Sequence, residues 1–141
     1  MGKAIFYHLT RSPVEETLAL LLPRALERGW RAAVRGSAID RLAWLDERLW
    51  LAGGDDSFLP HGLAGGPHDA AQPVLLTDRP DLPNRAACLF LIDGAEAAPD
   101  EAAGLERLCI LFDGADPSAM EGARGQWRRL TGAGLEAEYW S

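Results

Sequence analysis

Two continuous apolar runs, each ending in Asp-Gly, constrain the fold of this chain most strongly. They cover residues 87–93 (ACLFLID) and 108–113 (LCILFD). A half-exposed strand alternates apolar and polar residues, whereas an uninterrupted apolar strand needs cover on both faces. Strands of this kind occur in parallel sheets between two layers of helices. The two runs therefore predict an α/β fold.

The other segments alternate between strand and helix patterns, as such a fold requires. Strands are predicted over residues 4–9, 30–35 and 73–77. Apolar residues at helical spacing predict one helix that begins at Ser12-Pro13, contains Pro23 as a possible kink and stops at Gly29. A second helix carries the apolar stripe from residue 39 to 50, and residues 99–104 suffice for one or two helical turns. An amphipathic helix over residues 116–132 leads into a closing segment at 135–140.

Length and charge narrow the class of protein. At 141 residues the chain fits one domain, over residues 1–141, with a largely parallel sheet and helices on both faces. The net charge of −7 disfavours strong direct nucleic-acid binding. No apolar run approaches the roughly 20 residues of a membrane span, and residues 1–22 do not resemble a secretory signal. We therefore expect a cytoplasmic protein without a membrane interaction.

The two cysteines are expected to be buried thiols. Cys88 and Cys109 each lie inside an apolar run, where a small buried thiol is the usual role of cysteine. They could face each other on adjacent strands, but a disulfide is improbable in a reducing compartment.

The first strand-to-helix turn tests whether this sheet binds a nucleotide. It reads HLTRSPVEET, with no glycine to let the backbone approach a pyrophosphate, and Glu15 and Glu16 would repel a phosphate. The glycine-rich segment 62–66 (GLAGG) lacks an adjoining lysine and suits a connector. The Asp-Gly pairs at 93–94 and 113–114 could hold magnesium, but without a phosphate loop we favour strand-terminating turns. The sequence therefore predicts no cofactor.

No constellation of catalytic or metal-binding residues is recognisable. His61 and His68, with Asp69, are the conceivable metal ligands, and their spacing matches no structural zinc pattern. His8 suits a core or edge histidine. Neither cysteine has a neighbouring base, and no Gly-x-Ser-x-Gly elbow exists. We expect neither a metal nor a catalytic residue, although a triad assembled in space is not visible in a sequence.

The last helix contains a possible binding site. Arg124, Trp127 and Arg128 lie at spacings that place them on one helical face. Two guanidinium groups beside an indole suit a carboxylate attached to an apolar or aromatic group. The alternative is that Trp127 belongs to the core and the arginines are a solvated last turn. Spacing alone does not separate the two.

A long glycine-rich connector, residues 49–67 (LWLAGGDDSFLPHGLAGGP), is unusual in its apolar content. It carries Trp50, Phe58, Leu59 and Leu63. Apolar side chains in a surface loop either pack back onto the body or contact a partner. Without a catalytic constellation, this connector favours a docking protein over an enzyme.

With these residues identified, the chain resembles the chi subunit family of bacterial DNA polymerase III over nearly its whole length. The marks are the opening FYHL, the DERLW helix end, SFLPHGLAGG, PVLLT and the closing ARGQWRRLTGAG before YW. The resemblance implies a mononucleotide-binding-like topology without a phosphate loop. It also implies a non-catalytic adaptor in the clamp-loader complex. Its partners would be the acidic, Phe-ending C-terminal tail of single-stranded-DNA-binding protein and the psi subunit.

The resemblance also assigns residues. Arg124 matches the family's tail-binding arginine, Trp127 its neighbouring aromatic residue and Arg128 a basic partner. Trp50 and Phe58 match the aromatic positions that contact psi or a helicase competing for that surface. Two positions that are basic in the family carry Met120 and Thr131 here, so the tail site is less basic, and Arg129 could compensate. The alternative function is a nucleotide-binding protein or small hydrolytic enzyme on the same sheet.

Overall fold

Seven parallel strands form one sheet in a computed structural model that describes residues 2–10, 13–51 and 59–140. The strands follow one another across the sheet in the order β3-β4-β2-β5-β6-β1-β7, and every neighbouring pair is parallel. In chain order the elements are β1 (Lys3–Leu9), α1 (Val14–Glu27), β2 (Ala32–Arg35), α2 (Ile39–Leu51), β3 (Gly62–Leu63), β4 (Val74–Thr77), β5 (Cys88–Leu91), α3 (Pro99–Ala103), β6 (Arg107–Asp113), α4 (Pro117–Gly132) and β7 (Glu136–Trp140). The α/β fold predicted from the apolar runs is confirmed.

Helices cover both faces of the sheet, and each face has its own hydrophobic core. On one face, buried leucines of α1 and α2 pack against strand residues such as Val34 and Phe90. On the other face, buried residues of α3 and α4 pack against strand residues such as Leu89 and Leu108. Neighbouring strand residues therefore point to opposite cores, which explains why β5 and β6 contain no polar alternation.

The two cysteines lie on adjacent strands, as expected. Cys88 on β5 and Cys109 on β6 are both buried free thiols in the same core. A hydrogen bond with Cys88 and burial raise the pKa of the Cys109 thiol well above its usual value. The Cys109 thiol is therefore held in its neutral form within the sheet.

Several boundaries differ from the sequence-based expectation. The second strand begins at Ala32 rather than at residue 30, since the backbone N–H of Trp30 donates to the Ala25 carbonyl and closes α1. Pro23 lies inside α1, which continues to Glu27. Ser12, the expected cap, lies outside the described residues. Two strands were not foreseen: β3 within the long connector, and β7 in the closing segment.

Strand β7 lies at the edge of the sheet, and among the described strands it pairs with β1 alone. Ala137 and Tyr139 align with Ala4 and Phe6, whose side chains face the core under α4. The glutamates at 136 and 138 alternate to the opposite face, where the Glu138 carboxylate contacts the Lys3 ammonium at 2.7 Å. The edge strand thus turns an uncharged face toward α4.

Within the described residues, no helix is long and apolar enough to cross a membrane.

Candidate functional site

The candidate site is built on α4, a sixteen-residue helix with a well-defined start. The Asp116 side chain accepts a hydrogen bond of 2.9 Å from the backbone N–H of Ser118, and Pro117 occupies the first helical position. Ala123, Gln126 and Leu130 form the buried face of the helix. These contacts fix which side chains lie along each flank.

One flank of α4 is anchored to the loop that follows β5. The side-chain amide of Gln126 donates to the Ala95 carbonyl at 3.2 Å, and the Arg129 guanidinium pairs with the Glu96 carboxylate. Because residues 124, 127 and 128 lie on the other side of the buried face, their flank is directed toward β7. The grouping of Arg124, Trp127 and Arg128 on one face is what the helical spacing predicts.

Trp127 is half-buried, so it combines parts of both expectations for this residue. Its indole packs edge-on against buried Phe6 of β1, with ring centroids 5.2 Å apart and planes at 60°. It also packs against the core under α4, together with Leu135 and Ala137. The ring is therefore held in place by the core while part of it stays accessible.

The two cations beside Trp127 extend into solvent. The Arg124 side chain is 62% exposed, and its guanidinium lies 3.9 Å from the Glu121 carboxylate. An exposed pair at that distance contributes little to stability. Arg128 is exposed and has no hydrogen bond or ion pair with the residues that the structure describes. Both guanidinium groups can thus reach an incoming anion.

Two positions on α4 at which the resemblance predicts a basic residue carry uncharged side chains, those of Met120 and Thr131. Met120, one turn before Arg124, is half-buried. The Thr131 hydroxyl donates to the Trp127 carbonyl at 2.7 Å, a bond within the helix. Arg129, the possible substitute, lies on the anchored flank, where its guanidinium pairs with the Glu96 carboxylate.

Beside this flank, β7 presents Tyr139, a residue that the sequence reading did not assign. Its side chain is 55% exposed, and its hydroxyl is hydrogen-bonded to Nδ1 of His8 on β1. The pairing of β7 with β1 places Tyr139 beside Phe6, and Phe6 in turn contacts Trp127. Helical spacing carries no signal for such a contact.

The long connector returns to the body of the protein through His61. His61 is buried, with Nδ1 2.7 Å from the Leu59 carbonyl and Nε2 3.0 Å from the Asp46 carbonyl of α2. The indole of Trp50, 47% exposed, lies over the imidazole with ring centroids 4.2 Å apart. Leu59 is buried, so this end of the connector packs back, while Trp50 keeps an accessible face. Phe58 lies outside the described residues.

A crevice of about 730 Å³ lies at the carboxyl ends of β1, β5 and β6. This is where open α/β sheets bind nucleotides. Five carboxylates line it in the described part of the chain, against one cation, Arg41, which pairs with Asp93 at 3.2 Å. The five are Glu15, Asp93, Glu96, Asp113 and Asp116. Such a crevice repels a phosphate.

Two of the three conceivable metal ligands have other roles in the structure. The His61 ring nitrogens are occupied by carbonyl oxygens, and the Asp69 carboxylate accepts the backbone N–H groups of Gly65 and Gly66. His68 is exposed and precedes a single 3₁₀ turn. Among the described residues, no three histidine, cysteine or acidic side chains are grouped closely enough to hold a metal.

A buried arginine supports the loop that anchors α4. Arg35, at the end of β2, is 6% exposed and forms a bidentate pair with Glu101 of α3, with N–O distances of 2.8 and 2.7 Å. It also donates to the carbonyls of Arg79, Pro80 and Glu96. All its contacts are within the protein, so this arginine is a structural clamp rather than a site residue.

Fold and candidate site together define a parallel α/β domain that carries two exposed arginines and a half-buried tryptophan on one helix flank. Comparison with known protein families identifies the family to which the chain belongs. It matches the DNA polymerase III chi subunit family (HolC) over residues 1–138, and it belongs to that family. Proteins of this family are described as the chi subunit of DNA polymerase III.

A relative from Rickettsia prowazekii (strain Madrid E), described as a probable DNA polymerase III subunit chi, is 24% identical over 98 residues. That match covers 70% of this chain and 59% of the relative, so the chain spans less than two thirds of the relative's length.

Proposed function

We propose that this protein is a non-catalytic adaptor that binds the acidic C-terminal tail of single-stranded-DNA-binding protein. Arg124, Trp127 and Arg128 form the binding surface. The observation that carries the proposal is the combination on one helix flank of an indole fixed against Phe6 and two guanidinium groups reaching into solvent. The proposed partner, an acidic peptide ending in phenylalanine, is complementary to that surface in charge and in aromatic character.

The interaction divides into two parts. A guanidinium donates paired N–H groups to the terminal carboxylate, in a geometry that ammonium groups do not match. The aromatic ring of the last residue packs beside Trp127, and the second cation attracts the acidic residues that precede it. Exposed cations chiefly accelerate encounter with an anionic peptide, whereas the ring contact slows its release.

The second interface of the adaptor is proposed at Trp50 and Phe58, for the psi subunit or for a helicase that competes with it. Trp50 supports this because it is held over the buried His61 ring and yet is 47% exposed. It lies at the end of α2, across the sheet from α4. A chain with interfaces on opposite sides can bind two partners at once, as a cytoplasmic link between the clamp loader and coated DNA.

The acidic crevice argues against the alternative, a nucleotide-binding protein or hydrolase. A nucleotide would have to place its phosphates among five carboxylates. Electrostatic repulsion in a partly enclosed site is stronger than in water, since the effective dielectric constant is lower. Calorimetric titration with ATP and GTP is expected to give no heat of binding.

The decisive experiment is a fluorescence-anisotropy titration with a labelled peptide that ends in acidic residues, proline and phenylalanine. Loss of a hydrogen bond to a charged group costs about 1.5–3 kcal/mol. Arg124→Ala should therefore raise the Kd by about 10- to 150-fold. Amidation of the peptide's C-terminus should weaken binding of the unchanged protein similarly.

Arg129→Ala is the matched control. It removes a guanidinium from the same helix, but from the flank that pairs with Glu96. Its Kd should stay within about twofold of the original value, since a surface charge on the opposite flank, already paired with Glu96, acts only through screened attraction. If neither Arg124→Ala nor amidation changes the Kd, the carboxylate is not bound by this surface and the proposal is wrong.

A further inference from the structure

The aromatic surface of the site continues from α4 onto the edge strand. Trp127 packs on Phe6, and Phe6 is the register partner of Tyr139. Since register partners on parallel strands project to the same face, Tyr139 stands beside Phe6 on the side of the sheet that α4 covers. Tyr139 is 55% exposed, although a tyrosine of the core would be covered. An exposed aromatic ring therefore lies next to the proposed peptide surface.

Tyr139 is held in position from below by His8. Its hydroxyl is hydrogen-bonded to Nδ1 of His8, and the two ring centroids are 5.7 Å apart. The imidazole is itself stacked on Phe112, with centroids 5.3 Å apart and planes within 8°. The imidazole also lies close to Gly114, where an added Cβ atom would overlap its Nε2 and Cδ2 atoms. Because His8 is itself held in place, the Tyr139 ring that it contacts loses little conformational freedom when a ligand packs on it.

The charges around Tyr139 also favour an acidic peptide. The two glutamates of β7 lie on the opposite face of the sheet, where Glu138 contacts Lys3. On the α4 side, the strand presents only Ala137 and Tyr139, opposite the flank that carries Arg124 and Arg128. An acidic segment on this side meets two cations and, on the strand, no carboxylate.

From this arrangement we infer that Tyr139 is the second wall for the aromatic side chain of the bound C-terminal residue. The ring lies between Trp127 of α4 and Tyr139 of β7, above Phe6, while the carboxylate is bound by Arg124. His8 is a positioning residue that acts through the Tyr139 hydroxyl. The inference rests on the proposed function and adds a specificity-determining residue to it.

The test is a double-mutant cycle between the protein and the peptide. Anisotropy titrations compare the unchanged protein and Tyr139→Ala, each with a tail peptide ending in Phe and with the same peptide ending in Ala. An aromatic pair contributes enough for Tyr139→Ala to weaken the Phe-ending peptide about three- to tenfold. The Ala-ending peptide should lose less than twofold, because it has no ring to contact.

Trp140→Ala is the matched control for Tyr139→Ala. Trp140 is an equally exposed aromatic residue, 56% against 55%, on the same strand, and it faces Tyr7 on the other side of the sheet. It should leave both peptides unaffected. Tyr139→Phe keeps the ring and removes the hydroxyl that contacts His8, so it should lower discrimination between the Phe- and Ala-ending peptides by about twofold.

The results separate this inference from the proposed function. If Tyr139→Ala weakens both peptides equally, or neither, while Arg124→Ala still weakens binding, Tyr139 does not contact the ring and the inference is overturned alone. If Arg124→Ala is also without effect, the proposed function fails with it. If Tyr139→Phe discriminates between the Phe- and Ala-ending peptides as well as the unchanged protein does, the proposed role of His8 is overturned. Unfolding midpoints for each variant identify any loss that reflects misfolding, in which case the cycle is repeated with Tyr139→Leu and read by the same criteria.

Discussion

Replacement of Arg35 by alanine is expected to cause a large loss of stability. The side chain is 7% exposed and its guanidinium is paired through both terminal nitrogens with Glu101, whose side chain is 26% exposed. Removal of one partner from a buried ion pair costs about 3–5 kcal/mol, mostly because the other charge is left without compensation. Glu101 can regain some water, which favours the lower end. The three carbonyl oxygens that lose a donor favour the upper end.

Equilibrium urea unfolding, monitored by tryptophan fluorescence, measures this loss. The chain has five tryptophans. With an m-value of about 1–3 kcal/mol/M, a loss of 3 kcal/mol lowers the unfolding midpoint by about 1–3 M. Arg35→Lys keeps the charge but not the two-pronged geometry, so it should lie between the parent protein and Arg35→Ala.

Arg24→Ala, on the exposed side of α1, is the control and should change stability by no more than about 0.5 kcal/mol. A loss below about 1 kcal/mol for Arg35→Ala would refute the reasoning. It would mean that water replaces the guanidinium at little cost. The clamp would then not support the loop at residues 95–96.

Two further predictions concern pH and the second interface. Desolvation by burial raises the pKa of Tyr7 from 10.0 to about 12, so the stability that its neutral form contributes is lost as the pH rises from about 10 through 12. The free energy of unfolding of Tyr7→Phe should therefore depend less steeply on pH in this range than that of the parent protein. An unchanged pH dependence would contradict the assignment to Tyr7. Phe58→Ala should abolish binding of the second partner and leave the tail Kd unchanged, as measured by co-elution and anisotropy, whereas joint loss of both would indicate unfolding.

The sequence carries enough information to predict the central sheet because burial on both faces leaves a strong pattern. The runs at 87–93 and 108–113 became β5 and β6 between two cores. Strands β3 and β7 escaped prediction for a different reason. β3 has two residues, and β7 (EAEYW) is a half-exposed edge strand whose partner lies more than 120 residues away. Parallel pairing over such distances leaves no local signal.

The candidate site was predictable from the sequence only where its residues belong to one helix. Residues 124, 127 and 128 belong to one helix, so their spacing alone places them together. Tyr139 required the register of β7 on β1, and the distinction between Arg128 and Arg129 required the contact with Glu96. The clamp at Arg35 has a weak signal, an arginine at the end of an apolar run, but its five acceptors come from three later segments.

The position of the site follows from the charges at the carboxyl ends of the strands. An open parallel sheet offers its crevice there, and in this chain the crevice is lined by carboxylates, so an anionic ligand is repelled from it. The flank of α4 beside β7 is different, because that strand is the edge of the sheet and, in the described part of the chain, no further strand covers the helix on that side. Gln126 and Arg129 fix the opposite flank to residues 95–96, which leaves Arg124 and Arg128 exposed and Trp127 half-buried on the other flank. We therefore propose that the ligand binds at the edge of the sheet rather than in the crevice, and that this ligand is a peptide end rather than a phosphate.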